Sequence, residues 1–107
     1  MPERVHIAYC TCPDQNTAEA LAESLLVKRL AACVNILPGI KSMYRWEGKI
    51  ERAEEALLLI KTTEGRIPAL IERIEQEHPY DVPEVISHPI VDGHPAYLEW
   101  VRKCTTT

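Results

Sequence analysis

The chain switches between two hydrophobic periods, and each switch marks an element. "RVHIAYCT" (Arg4 to Thr11) is apolar and β-branched and stops at Pro13-Asp14, which predicts a strand carrying Cys10 and Cys12 at its far end. From Asp14 to Ala32 the residues Ala18, Leu21, Ala22, Leu25 and Leu30 recur on one helical stripe, with Asp14 or Asn16 as cap. Alternation returns from Cys33 to Trp46, interrupted at Pro38-Gly39, and "EG" leads into a partner strand from Lys49 to Thr63. Leu57 to Ile60 are consecutive apolar residues, so this strand is expected at the centre of a sheet with contacts on both faces. A second helix is expected from Arg66 to His78, with Ile67, Leu70, Ile71 and Ile74 inward. "PEVISHPIV" (Pro83 to Val91) predicts a fourth strand, "PAYLEWVRK" (Pro95 to Lys103) a closing helix, and "TTT" a frayed end.

The order βαββαβ plus a C-terminal helix is the split βαβ arrangement of α+β, ferredoxin-like domains. Right-handed crossovers then predict a four-stranded antiparallel sheet in the order 4-1-3-2, with both main helices on one face. The 107 residues are enough for one such domain.

Composition narrows the partners. Hydrophobic residues are 46% and charged residues 26% of the chain, an ordinary globular balance. A net charge of −4 lacks the basic excess that drives binding to phosphate backbones, so nucleic acid is not expected. No apolar run approaches the ~20 residues that span a bilayer, and "MPERVHIAYC" has no secretory pattern. A cytoplasmic location follows as the expectation, with Cys10, Cys12, Cys33 and Cys104 as free thiols.

In this topology the end of the first strand (Cys10, Cys12), the end of the second helix (Glu77, His78) and the start of the fourth strand (Glu84) share one end of the domain. Thiol and imidazole together suit copper or zinc, and a carboxylate can complete the set. Each residue has a plainer reading beside this one. A strand cysteine serves as a small buried hydrophobe. His78 continues the Ile74 stripe and suits a helix C-terminus. Glu77 stands four residues after Arg73, the spacing of a solvated ion pair. Pro79 and Pro83 make "HPYDVPE" a rigid helix-to-strand joint that fixes where His78 points.

Tyr44 and Trp46 fall on the hairpin's outer strand, at an open edge. An uncovered apolar edge recruits another chain, which predicts a symmetric homo-oligomer through Tyr44 and Trp46, with Trp100 nearby.

"LAACVN" (Leu30 to Asn35), "SMYRWEGKI" (Ser42 to Ile50), "LLLIKT" (Leu57 to Thr62), "HPYDVPE" (His78 to Glu84) and "YLEW" (Tyr97 to Trp100) follow in register, and with them the chain resembles the CutA divalent-ion tolerance proteins. The resemblance implies a ferredoxin-like subunit in a homotrimer similar to the PII signalling proteins, associated with divalent cations, copper(II) foremost, and without catalytic activity. It also implies a metal set of Cys10, Glu77 and His78, in which Glu77 replaces one of the family's two adjacent histidines by a harder carboxylate. A PII-like signalling trimer that binds a metabolite in clefts between subunits is the competing expectation. A phosphate-cradling hydrolase is disfavoured, because "CPDQN" offers neither glycine nor arginine. An RNA-binding sheet is disfavoured too, because "EEALLLIKTT" has no aromatic residue.

Overall fold

The computed structural model describes residues 2–106. Its elements are β1 (Val5–Cys12), α1 (Gln15–Val27), β2 (Cys33–Trp46), β3 (Lys49–Thr63), α2 (Ile67–Glu77), β4 (Val85–Pro89) and α3 (Pro95–Cys104), with a 3-10 turn at Glu64–Arg66 leading into α2. The sheet order β2-β3-β1-β4 is the expected 4-1-3-2 read from the other edge, and every neighbouring pair is antiparallel.

Helices α1 and α2 cover one face. Ala8, Cys10 and Cys12 of β1 and Ala56, Leu58 and Ile60 of β3 meet Ala18, Leu21 and Leu25 of α1 and Leu70 and Ile74 of α2. Full burial of each large aliphatic side chain here contributes roughly 1.5–3 kcal/mol. The run Leu57 to Ile60 takes the central place in the sheet expected of it, but its two faces differ: Leu58 and Ile60 are buried, whereas Leu57 and Leu59 are half-exposed on the opposite face. Strand alternation divides the run between the two sides.

Helix α1 starts where the Asp14 side chain accepts from Thr17 N at 2.8 Å, the capping bond the sequence suggested. It ends at Val27, earlier than Ala32. Arg29 takes a left-handed φ of 57°, Leu30 N donates to Leu25 O at 2.9 Å, and Arg29 N donates to Leu26 O at 3.1 Å. This is a Schellman closure, with Leu30 packed into the core beside Leu25. Leu30 is thus inward as expected, but through the cap.

The second helix closes at Glu77, one residue before the expected end. His78 is already extended (φ −78°, ψ 139°) because Pro79 follows it. The fourth strand is shorter than expected and pairs with β1 only from Val85 to Pro89. At the C-terminus the expected fraying fails for Thr105, which is buried and donates from Oγ1 to Val101 O at 2.9 Å. Thr107 lies outside the described residues.

Along β2 the pairing slips between Leu37 (opposite Leu57) and Ile40 (opposite Glu55), so Pro38 and Gly39 form a bulge with Gly39 at φ +65°. Beyond it Ile40–Trp46 pairs only with Lys49–Glu55, because β1 reaches no further along β3 than Ala56. A bare two-stranded arm therefore projects from the sheet. Glu47 and Gly48, with φ of 47° and 78°, close it as a type I′ turn.

Candidate metal centre and the groove beside it

β1 places Cys10 and Cys12 two residues apart, hence on one side of the strand, facing the helices. The joint after α2 brings His78 against them. One donor atom from each of the three lies within 4.8 Å of the others, and all three residues are buried. The convergence of Cys10 and Cys12 with His78 that the topology predicts is observed, with Cys12 beside Cys10 in the group.

Glu77 is elsewhere. Its Oε2 accepts from Ser24 Oγ at 2.7 Å and from Arg73 Nη1 at 3.1 Å, and the side chain is exposed. Successive helical residues point about 100° apart, so a carboxylate next to His78 does not share its direction. Glu84 comes near enough to raise the Cys10 thiol electrostatically, yet it lines a groove on the other face of the sheet.

The imidazole is held at both ends. A carbonyl can only accept, so Nε2–H donates to Thr11 O at 2.7 Å, and Nδ1 accepts from Tyr80 N–H at 3.1 Å. These bonds define the neutral Nε2–H tautomer. The two thiols differ sharply. Cys10 is pushed far above the ordinary thiol range, first by its hydrogen bond to Cys12, then by burial and by the negative charges of Cys12, Glu84 and Glu55. Cys12 is lowered, because the Cys10 S–H stabilises its thiolate. The first proton of the pair therefore leaves Cys12.

Two thiols and an imidazole suit a soft or borderline ion, and three protein donors leave a fourth position for water or an exogenous ligand. Entry has a stated structural requirement: the ion must replace either the Nε2 proton and its Thr11 bond or the Tyr80 N–H bond on Nδ1.

Tyr80 was not singled out from the sequence. It stacks on His78 with ring centroids 4.8 Å apart, and its hydroxyl donates to Glu55 Oε2 at 2.8 Å on the other side of the sheet. The joint thus wraps over the sheet's upper end, with the thiols on the helix-covered side and a groove on the bare side. That groove encloses about 660 Å³ and includes Thr11, Tyr44, Trp46 and Glu55 in its walls.

The aromatic residues expected at an interface divide. Tyr44 and Trp46 are exposed on the arm. Trp100 instead stacks on Tyr97, whose hydroxyl meets Cys33 at the far end of β2 from Trp46. Some 13 strand residues separate the two ends, roughly 40 Å of extended chain. Within one subunit Trp100 therefore lies toward the base of the hairpin, away from Tyr44 and Trp46 near its tip.

A four-stranded split βαβ sheet with two covering helices and a buried thiol–imidazole group defines a ferredoxin-like α+β subunit with a candidate soft-ion centre. Comparison with known proteins agrees on the fold and specifies the family. The CutA1 divalent ion tolerance protein family matches residues 6–104. Mouse protein CutA is 47% identical over 105 residues, covering 98% of this chain and 59% of its own length. The divalent-cation tolerance protein CutA of Thermus thermophilus is 46% identical, covering 92% of this chain and 96% of its own. The crystal structure of CutA1 from Oryza sativa superposes with a TM-score of 0.95 at 46% identity, covering 98% of this chain and 96% of that one. The chain belongs to the CutA1 divalent ion tolerance family. It spans about three fifths of the length of its mouse and human relatives.

Proposed function

We propose that the chain is a non-enzymatic divalent-cation-binding protein that works as a cytoplasmic homotrimer of single-domain subunits, with copper(II) as the first candidate ion. Cys10, Cys12 and His78 hold the ion, and Glu77 stands outside the donor set. The observation that carries this reading is the convergence of three buried donors within 4.8 Å of one another. Several relatives are named for divalent-cation tolerance, which is the same chemistry at a coarser level. The four thiols are unpaired, the state that a reducing compartment maintains. The trimer rests on the arm, whose apolar residues one subunit leaves bare.

Protons compete with the ion for thiolates and imidazole, so affinity falls as pH falls. Calorimetric titration of Zn(II) and Cu(II) tests the site. Cys10→Ser and His78→Ala are each expected to weaken binding at least ten-fold, while Glu77→Gln leaves it unchanged. Equal affinity in wild type, Cys10→Ser and His78→Ala removes the site. Light scattering tests the assembly: wild type should give the mass of three chains, and Trp46→Ser should shift it toward one.

A further inference from the structure

The joint after α2 touches both sides of the sheet, and the hydrogen bonds of His78 and Tyr80 tie the two sides together. His78 Nδ1 accepts from the Tyr80 backbone N–H at 3.1 Å, the two rings stack at 4.8 Å, and the Tyr80 hydroxyl donates to Glu55 Oε2 at 2.8 Å. Burial first, then the bond to Glu55, raise that hydroxyl above its ordinary range, so it keeps its proton and remains the donor. Glu55 stands beside Ala56, the last residue of β3 that β1 reaches, and its register puts it on the same side of the arm as Tyr44 and Trp46. A line of bonds therefore runs from the buried donors to the face assigned to contact between copies.

This line is sensitive to coordination at His78. A neutral imidazole has one lone pair and one N–H. If Nδ1 gives its lone pair to an ion, the Tyr80 N–H loses its acceptor. If Nε2 coordinates instead, the remaining ring proton sits on Nδ1 and meets the Tyr80 N–H donor to donor. Either route breaks the same bond. In the second case the ring N–H needs an oxygen to receive it, which the Tyr80 amide nitrogen cannot supply. Tyr80 must then shift, and the joint leaves few ways to do so. Pro79 locks its own φ and Pro83 disfavours helical geometry at Val82, so the change falls on Tyr80 and Asp81. The hydroxyl bond resists that displacement, because Glu55 is buried and held in the β2–β3 ladder.

Building on the donor set proposed above, we propose that Tyr80 is a relay: coordination by Cys10, Cys12 and His78 releases its backbone N–H and draws its hydroxyl off Glu55. Occupancy on the helix-covered side is thereby registered on the face between copies. Tyr80 is a positioning residue, since it touches the coordinating histidine and not the ion. Its hydroxyl bond favours the ion-free arrangement, so removing that bond makes binding easier. A side chain that only held His78 in place would do the reverse.

The test uses the full chain and Zn(II), which has no redox chemistry to confuse the thiols. Calorimetry reads the affinity, and amide chemical shifts locate the response. In wild type, saturation should shift the amides of Tyr80 and Glu55, and both shifts should vanish in Cys10→Ser. Tyr80→Phe keeps the ring and the backbone N–H but not the hydroxyl. It should bind Zn(II) about three-fold tighter, the scale of one hydrogen bond, with the amide at position 80 still shifting and that of Glu55 no longer doing so. Glu55→Gln, a weaker acceptor, should tighten binding in the same direction and by less. Unchanged or weaker binding in Tyr80→Phe overturns the relay, as does Zn(II) binding to wild type that leaves the Glu55 amide unmoved. Absence of Zn(II) binding removes the centre itself and the relay with it, so the two failures are told apart.

Discussion

Strands β2 and β3 each serve two environments. In the half from Cys33 to Leu37 and Leu57 to Thr63 they lie inside a four-stranded sheet, and Leu58 and Ile60 are sealed beneath two helices. In the half from Ile40 to Trp46 and Lys49 to Glu55 the same two strands continue the same antiparallel ladder with only each other for company. Met43, Trp46 and Ile50 there are more than half exposed. The ladder between β2 and β3 is alike in the two halves; the pairing of β1 on the far edge of β3 and the side-chain cover are confined to the first. Because an isolated two-stranded ribbon is at best marginally stable in water, the arm needs something laid against it, whereas the body does not.

The largest expected effect tests that division directly. Leu58→Ala opens a cavity in the body and should lower the unfolding free energy by about 2–5 kcal/mol in urea denaturation, whatever the chain concentration. Ile50→Ala removes a comparable side chain from the arm, and within one subunit it should cost no more than about 0.5 kcal/mol. Any larger cost belongs to contact between copies and falls away on dilution, since assembly stabilises by mass action. Equal, concentration-independent losses at both positions would erase the distinction between the halves.

How much of this was legible beforehand depends on whether the signal was local. The strand order followed from period, turn residues and handedness, and Asp14 declared its cap by type and place. The early end of α1 was hidden because Arg29, not glycine, takes the left-handed position, and the remaining clue was an apolar Leu30 just beyond. Leu57 to Ile60 marked a central strand, but an unbroken apolar run looks the same whether the subunit covers both of its faces or only one. Cys10 and His78 converged through topology alone. Tyr80 and Glu55 stayed invisible, since their bond crosses 25 positions of sequence and depends on the joint folding over the sheet's end.

The boundary between the two halves is the bulge, and Gly39 is its test. A Cβ at Gly39 would meet nothing within 4 Å, so the cost of Gly39→Ala comes from the backbone alone at φ +65°. That conformation disfavours alanine by about 1 kcal/mol, and Gly39→Asn should cost less, because asparagine tolerates the left-handed region. Urea midpoints of the two variants check the order. Were alanine to cost nothing, the extra residue in β2 would not be pinned by this conformation, and the direction of the arm would need another cause.

The smallest effect lies at the arm's tip and is the most selective. Both turn residues need positive φ, which Gly48 adopts freely and Glu47 adopts at 47° against its preference. Type I′ turns favour Asn-Gly, so Glu47→Asn should stabilise the arm by a few tenths of a kcal/mol, roughly a two-fold slowing of amide exchange from Lys41 to Arg45. Because the arm opens without unfolding the body, the urea midpoint of the whole subunit should stay where it is. A midpoint that rose in step with the exchange protection would mean that arm and body unfold together, and that the helix-covered sheet relies on the ribbon it was taken to hold up.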